Sequence, residues 1–227
     1  MDDRRIRLIL LDFDGTLADT RRANTAAYVA TLREAGYALT EAEYEARYFG
    51  MRCEEFLTRF GIADPAERER LRRRKIELYP SFFDTVRLNE PLWNFCQQFR
   101  QQGGRVWIVS TGSRANIENA MHFLGIGGPK NDERPSEDGA ENERSKNGGP
   151  GSDAPESDAP KGRVDGILAG TDIAVSKPAP DCFLEAMRRE GCTPSETLIF
   201  EDSAIGLEAA RRSGAAYFRV KLGDSNR

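Results

Sequence analysis

Residues 6–20 read IRLILLDFDGTLADT, and this stretch predicts how the rest of the chain is organised. The apolar run before Asp12 is too short to cross a membrane and is typical of a strand buried on both faces of a sheet. Asp12 and Asp14 should leave that strand on the same side, and Gly15 lets the chain turn at once. Two like charges this close raise one pKa unless a cation lies between them. The pattern therefore favours a hard metal ion, with one carboxylate as nucleophile and the other as proton donor.

Beyond residue 83 the sequence alternates between strand and helix patterns. Strands are predicted at residues 105–110, 164–169, 197–201 and 217–220, and helices at residues 90–102, 114–124, 180–190 and 204–213. Repeated strand–helix units predict a parallel sheet with right-handed crossovers and helices on both faces. Ligands of such folds bind outside the carboxyl ends of the strands.

Two segments interrupt this alternation. Residues 20–83 carry helical patterns and no strand pattern, which predicts a helical subdomain inserted after the first strand. Residues 129–163 contain no Leu, Ile, Val, Met or aromatic residue, so they cannot bury enough apolar surface to offset the entropy of ordering. We interpret them as a disordered surface loop, with a segment that folds on a partner as the alternative. The predicted organisation is thus a core of residues 1–19 and 84–227 and a helical insert of residues 20–83.

The composition limits the classes of partner. A net charge of −4 gives no overall positive field for nucleic acid or an anionic membrane, and an anionic substrate would need local positive groups. No apolar run reaches the length of a membrane span, and the first residues lack a signal-peptide pattern. The four cysteines lie far apart without metal-ligand spacing, which favours a reduced cytoplasmic setting.

Candidate site residues follow three further strands or loops. Thr111 and Gly112 come after the strand at residues 105–110, where a hydroxyl and backbone N–H groups can hold phosphate oxygens. The alternative is a helix cap, which is our interpretation of Ser113. Lys177 lies in a proline-bounded loop and could neutralise phosphate together with a nucleophilic carboxylate, although a loop lysine is more often solvated. Glu201 and Asp202 end an apolar strand and could ligate a hard cation or cap the next helix.

Taken in order, these motifs resemble those of the haloacid dehalogenase-like hydrolase superfamily. The resemblance rests on DFDGT at residues 12–16, Thr111, Lys177 and the acid pair at residues 201–202, and it covers the chain except residues 129–163. The sequences KPAPDCF and FEDSAIGLEAA, together with the helical insert, resemble those of the subgroup with a helical cap. That subgroup includes phosphoglycolate-type phosphatases, sugar-phosphate phosphatases and β-phosphoglucomutases. The implied fold is a doubly wound, Rossmann-like α/β core with an all-helical cap at residues 20–83.

The resemblance implies a Mg²⁺-dependent phosphomonoesterase acting on a small phosphorylated metabolite. Asp12 would attack phosphorus to form an aspartyl-phosphate, and Asp14 would protonate the leaving alcohol and then deprotonate water. Mg²⁺ would bind the Asp12 carboxylate, the Asp14 backbone carbonyl and Asp202, with Glu201 close by or acting through water. Thr111, Gly112 and Lys177 would take up charge on the phosphoryl group. We expect a monomer or homodimer that binds neither nucleic acid nor membrane.

Two other functions stay open at this stage. A phosphosugar mutase of the β-phosphoglucomutase type would carry a histidine near Asn24, whereas the only histidine of the chain, His122, lies elsewhere and reads as structural or surface. A non-catalytic binding protein of the same fold is disfavoured because no motif position is lost. Arg52 and Lys75 are basic positions of the helical insert that could face a second anionic group, but a solvated face is the favoured interpretation.

Overall fold

A parallel sheet forms the centre of the chain in a computed structural model that describes residues 5–129 and 160–222. Its strands are β1 (Leu8–Leu11), β4 (Arg105–Val109), β5 (Gly166–Leu168), β6 (Thr197–Glu201) and β7 (Ala216–Arg219). They lie in the order β5-β4-β1-β6-β7, and every neighbouring pair is parallel. The predicted doubly wound α/β sheet is therefore confirmed, with β1 in its middle.

The described residues contain eight α-helices, four of them in the helical segment after β1. They are α1 (Arg21–Glu34), α2 (Glu41–Arg47), α3 (Cys53–Phe60), α4 (Pro65–Leu78), α5 (Glu90–Gln101), α6 (Arg114–Leu124), α7 (Asp181–Arg189) and α8 (Ala204–Ser213). The predicted bounds of α5 to α8 agree to within one or two residues. Side chains cap two of the helices in residues 20–83, since Glu43 N donates to the Thr40 hydroxyl at 3.2 Å at the start of α2 and Asp64 caps α4 just before Pro65.

Strand β1 is buried because it presents apolar side chains to both faces of the sheet, whereas all four residues of the edge strand β7 are exposed. All four residues of β1 are buried, and alternate side chains enter two different clusters. Ile9 and Leu11 pack with α5 and α6, whereas Leu8 and Leu10 pack with α7 and α8. This two-sided burial explains why the strand reads as a continuous apolar run that stops where the sheet ends.

The helical segment of residues 20–83 holds an apolar cluster of its own. Tyr28, Tyr44 and Phe56 meet edge to face or tilted, with ring centroids 5.0 to 5.3 Å apart. The other side of α1 reaches the sheet-side cluster through Ala23 and Ala27. The division into a core and a cap at these bounds remains a prediction.

A short antiparallel ladder, missed by the sequence analysis, marks where the chain enters and leaves the helical segment. Strand β2 (Ala18–Asp19) pairs with β3 (Arg87–Leu88) in the register Ala18 with Leu88. Two residues are too few to show a periodic pattern, so the sequence carried no signal for this ladder. The ladder ties the residues after Asp14 to the start of α5.

The predicted loop of residues 129–163 lies mostly outside the described residues. Its last part is held in place: Gly127 N donates to Gly162 O at 2.8 Å, and the Trp93 indole donates to Lys161 O at 3.0 Å. The residues on either side of 130–159 are thus joined by hydrogen bonds of their own. Within residues 5–129 and 160–222, no helix combines the length and apolar character that a membrane crossing requires.

Candidate active site

The carboxyl ends of three adjacent parallel strands bring the predicted site residues together. Asp12 follows β1, Thr111 and Gly112 follow β4, and the acid pair ends β6. The turn after β4 forms because Gly112 N donates to the Ser110 hydroxyl at 3.0 Å. Ser113 caps α6 by accepting from Asn116 N, as predicted.

Lys177 lies between two carboxylates under this edge of the sheet. Its ammonium donates to Asp12 Oδ1 at 2.7 Å, to Glu201 Oε2 at 2.7 Å and to the carbonyl oxygen of Val109 at 3.1 Å. The side chain is 3% exposed, so these interactions act at low dielectric. Burial alone would lower the pKa of Lys177, but the Asp12 and Glu201 charges outweigh it and raise this pKa. The more common reading of a loop lysine as solvated is wrong for Lys177.

Glu201 holds Lys177 from below the site. Its Oε1 atom accepts from Asp202 N, Ser203 N and the Ser203 hydroxyl at 2.8 to 3.1 Å, while Oε2 accepts from Lys177. Burial alone would raise the pKa of Glu201, but the Lys177 ammonium and the Ser203 donors hold this pKa below its usual value. Both carboxylate oxygens are thus engaged by protein donors, which makes Glu201 a support for Lys177.

The acidic groups form a set that fits a hard divalent cation. One oxygen from each of Asp12, Glu201 and Asp202 lies within 4.8 Å of the other two. Burial, and then the Glu201 charge, raises the pKa of Asp202 to about 6, and the same two causes raise the pKa of Asp12 despite Lys177. Three carboxylates facing one ammonium carry excess negative charge, and oxygen ligands are those that Mg²⁺ takes.

Asp202 approaches the first motif closely. A Cβ built on Gly15 would lie 2.5 Å from Asp202 Oδ2, and φ of Gly15 is +89°, so glycine is needed at this position on both counts. The Thr16 hydroxyl donates to Asp202 Oδ1 at 3.1 Å. The turn after β1 thereby fixes the carboxylate of Asp202 against the Asp12 side of the site.

Asp14 faces the helical segment. Its Oδ1 atom accepts from the Thr20 hydroxyl at 2.5 Å and from Asn24 Nδ2 at 2.9 Å. Asn24 in turn accepts from Lys75 Nζ at 2.7 Å. Lys75 is 2% exposed, so the favoured interpretation of a solvated face is wrong for this residue. Burial lowers the pKa of Lys75 to about 8, opposed by the charge of Asp14.

Sequence reasoning gave Asn24 and Thr20 no role in the site. The signal that could have found them was the spacing of Asn24, ten residues after Asp14 on the first helix.

Arg52 also differs from the solvated interpretation: its Nη2 atom donates to the carbonyl oxygen of Ile173 at 2.9 Å, which links the helical segment to the loop before Lys177. His122 is exposed near the end of α6, as predicted.

A cavity of about 350 Å³ joins the strand ends to the helical segment. Six predicted site residues line it: Asp12, Asp14, Thr111, Gly112, Lys177 and Asp202. The opposite wall is aromatic and basic, with Tyr28, Tyr44, Phe49, Tyr79 and Lys75. Such a chamber accommodates a small molecule with one end at the acidic cluster and the other against the helical wall.

One family model and two known proteins resemble this chain in sequence. A family model described as haloacid dehalogenase-like hydrolase matches residues 6–214. The protein CbbY of Rhodobacter capsulatus is 48% identical over 48 residues, which is 21% of this chain and 21% of that protein. The fructose-1-phosphate phosphatase YqaB of Escherichia coli (strain K12) is 38% identical over 58 residues, 26% of this chain and 31% of that protein. These matches thus span less than a third of either relative.

The fold itself has solved counterparts over nearly the whole chain. A crystal structure of CbbY from Rhodobacter sphaeroides in complex with phosphate superposes with a TM-score of 0.73 at 22% identity. The superposition covers 96% of this chain and 87% of that chain. At this identity the likeness concerns the architecture alone.

Proposed function

This chain belongs to the haloacid dehalogenase-like hydrolase family, and we propose that it is a Mg²⁺-dependent phosphomonoesterase of a small phosphorylated metabolite. The observation that carries the proposal is that six site residues line one cavity, with Lys177 bound to Asp12 at its base. The relative YqaB is a fructose-1-phosphate phosphatase by name, and this supports phosphoester chemistry for the present chain.

Asp12 would serve as the nucleophile. Lys177 binds its Oδ1 atom at 2.7 Å, which fixes the orientation of the carboxylate. A carboxylate oxygen of Asp12 would form a bond to phosphorus while the ester P–O bond breaks and its electron pair stays on the leaving oxygen. Asp14 would give that oxygen a proton, so the alcohol leaves neutral.

The second step would return the site to its starting state. Asp14, now a carboxylate, would take a proton from water as the water oxygen bonds to phosphorus. The bond between phosphorus and Asp12 then breaks, inorganic phosphate leaves, and Asp12 is again a carboxylate. Lys177 and the backbone N–H groups after β4 would hold the phosphoryl oxygens during both transfers.

Mg²⁺ would be held by Asp12 and Asp202, with the Asp14 backbone carbonyl. When bound, it would neutralise charge on the phosphoryl oxygens. Thr111 would bind phosphate through its hydroxyl. That hydroxyl donates to Gly50 O over a long distance of 3.4 Å, and a phosphate oxygen can replace this acceptor.

All four cysteines are free, which agrees with the reducing, cytoplasmic setting that we propose.

Asn24 favours hydrolysis over mutase chemistry. A side-chain amide at hydrogen-bond distance from Asp14 carries no titratable proton, so it cannot assist a second proton transfer as a histidine would. The mutase hypothesis predicts isomerisation that depends on a sugar bisphosphate, in place of net phosphate release.

Purified protein should be assayed with Mg²⁺ against p-nitrophenyl phosphate and a panel of phosphorylated metabolites. We expect phosphate release that EDTA abolishes and Mg²⁺ restores. A chain that binds phosphate esters but releases phosphate from none of them would be a binding protein, and the proposal would be wrong.

A further inference from the structure

Lys75 on α4 is a buried cation that the chemistry proposed above does not use. Its ammonium lies 3.7 Å from the ring centroid of Tyr79 and 5.0 Å from that of Tyr28, and it donates to the Asn24 side chain. The described residues thus surround it with an amide oxygen and two aromatic faces instead of a carboxylate. A buried ammonium with no carboxylate in direct contact is costly to keep, and the charge of Asp14 acts on it only across the Asn24 side chain.

Lys75 determines which way the Asn24 amide faces. An ammonium can only donate, so the amide oxygen must point to Lys75 and the amide nitrogen must point away from it. A flipped amide would set two donors against each other. On its other side the Asn24 nitrogen donates to Asp14 Oδ1 at 2.9 Å and to the Thr20 hydroxyl oxygen at 3.2 Å.

The two oxygens of Asp14 are made unequal by this arrangement. Oδ1 accepts from both Thr20 and Asn24, so a proton on Oδ1 would face two donors. Oδ2 lies toward the loop after β4, where a Cβ built on Gly112 would be 3.2 Å away from it. A proton on Oδ1 would require the Thr20 hydroxyl to turn and accept, and it would oppose the Asn24 amide N–H, so the arrangement favours a proton on Oδ2, at the side of the cavity where the strand ends meet.

A role as a ligand for an anionic group of the substrate fits Lys75 poorly. Lys75 lines the cavity, but its ammonium is already engaged by the Asn24 amide oxygen and by the ring faces of Tyr79 and Tyr28. Arg73, two residues earlier on the same helix, shows the contrast: its side chain is 72% exposed and pairs with Glu69.

We propose that Lys75 is a positioning residue that acts through Asn24 to hold Oδ1 of Asp14, so that Oδ2 delivers the proton to the leaving alcohol. The inference rests on the proposed function and deepens it. It makes proton transfer by Asp14 depend on Lys75, which lies 51 positions beyond Asn24 on another helix.

The test compares Lys75→Met with wild type on three esters of similar size and different leaving groups. Benzyl phosphate needs a proton for its alkoxide, phenyl phosphate needs it less, and p-nitrophenyl phosphate hardly needs it. We expect kcat/KM, which reports the transfer to Asp12 but not the later hydrolysis step, to fall about 100-fold for benzyl phosphate, the lower range for general acid catalysis, with a smaller loss for phenyl phosphate. The kcat/KM for p-nitrophenyl phosphate should change less than about 3-fold. Arg73→Met is the matched control and should leave all three rates unchanged.

A second pair of variants covers the case in which Lys75→Met does not fold. Asn24→Leu, which keeps the size of the side chain, should show the same dependence on the leaving group. Where both single variants fold, the double variant should lose no more than Asn24→Leu alone, because the two residues act in one chain.

The outcomes separate this inference from the proposed function. Equal losses of kcat/KM for all three esters, or no loss for benzyl phosphate, would overturn the positioning role while leaving the phosphatase proposal intact. Absence of any turnover by the wild-type protein would overturn both.

Discussion

Replacing Gly206, which lies outside the predicted site, by alanine perturbs Glu201, the support of Lys177. Gly206 lies in the first turn of α8, directly over the buried Glu201 side chain. A Cβ at this position would be 2.0 Å from the Glu201 carboxyl carbon, whereas ordinary contact begins at 3.4 Å. The difference, 3.4 − 2.0, is 1.4 Å, so either the carboxylate or the helix must shift by about that much.

The size of the effect follows from what Glu201 holds. Its bonds to Lys177 at 2.7 Å and to the Ser203 hydroxyl at 2.8 Å would lengthen beyond hydrogen-bond distance after such a shift. Overpacking costs roughly 1–3 kcal/mol, and unsatisfied buried polar groups add roughly 1–3 kcal/mol. The better helix propensity of alanine offsets about 1 kcal/mol, so the free energy of unfolding should fall by roughly 1–5 kcal/mol. Loss of an oriented Lys177 should lower kcat roughly 100-fold.

Urea unfolding and Mg²⁺-dependent hydrolysis of p-nitrophenyl phosphate measure both effects. Gly128→Ala is the matched control, because no atom of residues 5–129 and 160–222 lies within 4 Å of a Cβ built there, and its midpoint and kcat should equal those of wild type. A Gly206→Ala variant with wild-type midpoint and kcat would refute the assignment of Glu201 as the support of Lys177.

Two further predictions concern stability and the predicted loop. Burial alone would raise the pKa of Asp165, but its hydrogen bonds from Arg100, at 2.7 Å each, hold this pKa below its usual value. A carboxyl group whose pKa is lower in the folded state stabilises the fold at pH values above its unfolded pKa. Asp165→Asn should therefore lower the free energy of unfolding by roughly 2 kcal/mol at neutral pH, and the difference in urea midpoint between this variant and wild type should shrink below about pH 4. Deleting residues 130–159 and joining the ends with a short Gly-Ser linker should leave kcat unchanged, since Gly127 and Gly162 are already hydrogen-bonded; a large loss of turnover would contradict this.

The strand-end residues could be found from sequence because a physical rule places them. Asp12 and Asp202 each follow an apolar run, and parallel strands bring the ends of such runs to one edge. The roles of Lys75 and Asn24 could not be found in this way. They lie 51 positions apart on two helices, and Lys75 follows three arginines in a run that reads as a solvated face. In that run, only the packing of α4 against α1 distinguishes the buried Lys75 from the partly buried or exposed arginines before it.

Glu201 illustrates a second limit of sequence reasoning. An acid pair at a strand end indicates oxygen ligands, but the pattern does not say which acid faces the cavity. Strand alternation directs Glu201 into the protein, where it accepts from Lys177, while Asp202 leaves the strand and lines the cavity. The glycine that admits Glu201, Gly206, reads in the sequence only as a helix residue of low propensity.

The assignment of Asp12 as nucleophile is tested most directly by the kcat of Asp12→Asn with p-nitrophenyl phosphate and saturating Mg²⁺. The amide keeps the size of the side chain and removes one charge from a cluster that already carries excess negative charge, so the urea midpoint should stay close to that of wild type. An amide cannot form the bond to phosphorus, so we predict that turnover falls to background. Substantial turnover by the folded variant would contradict the assignment and the covalent mechanism with it.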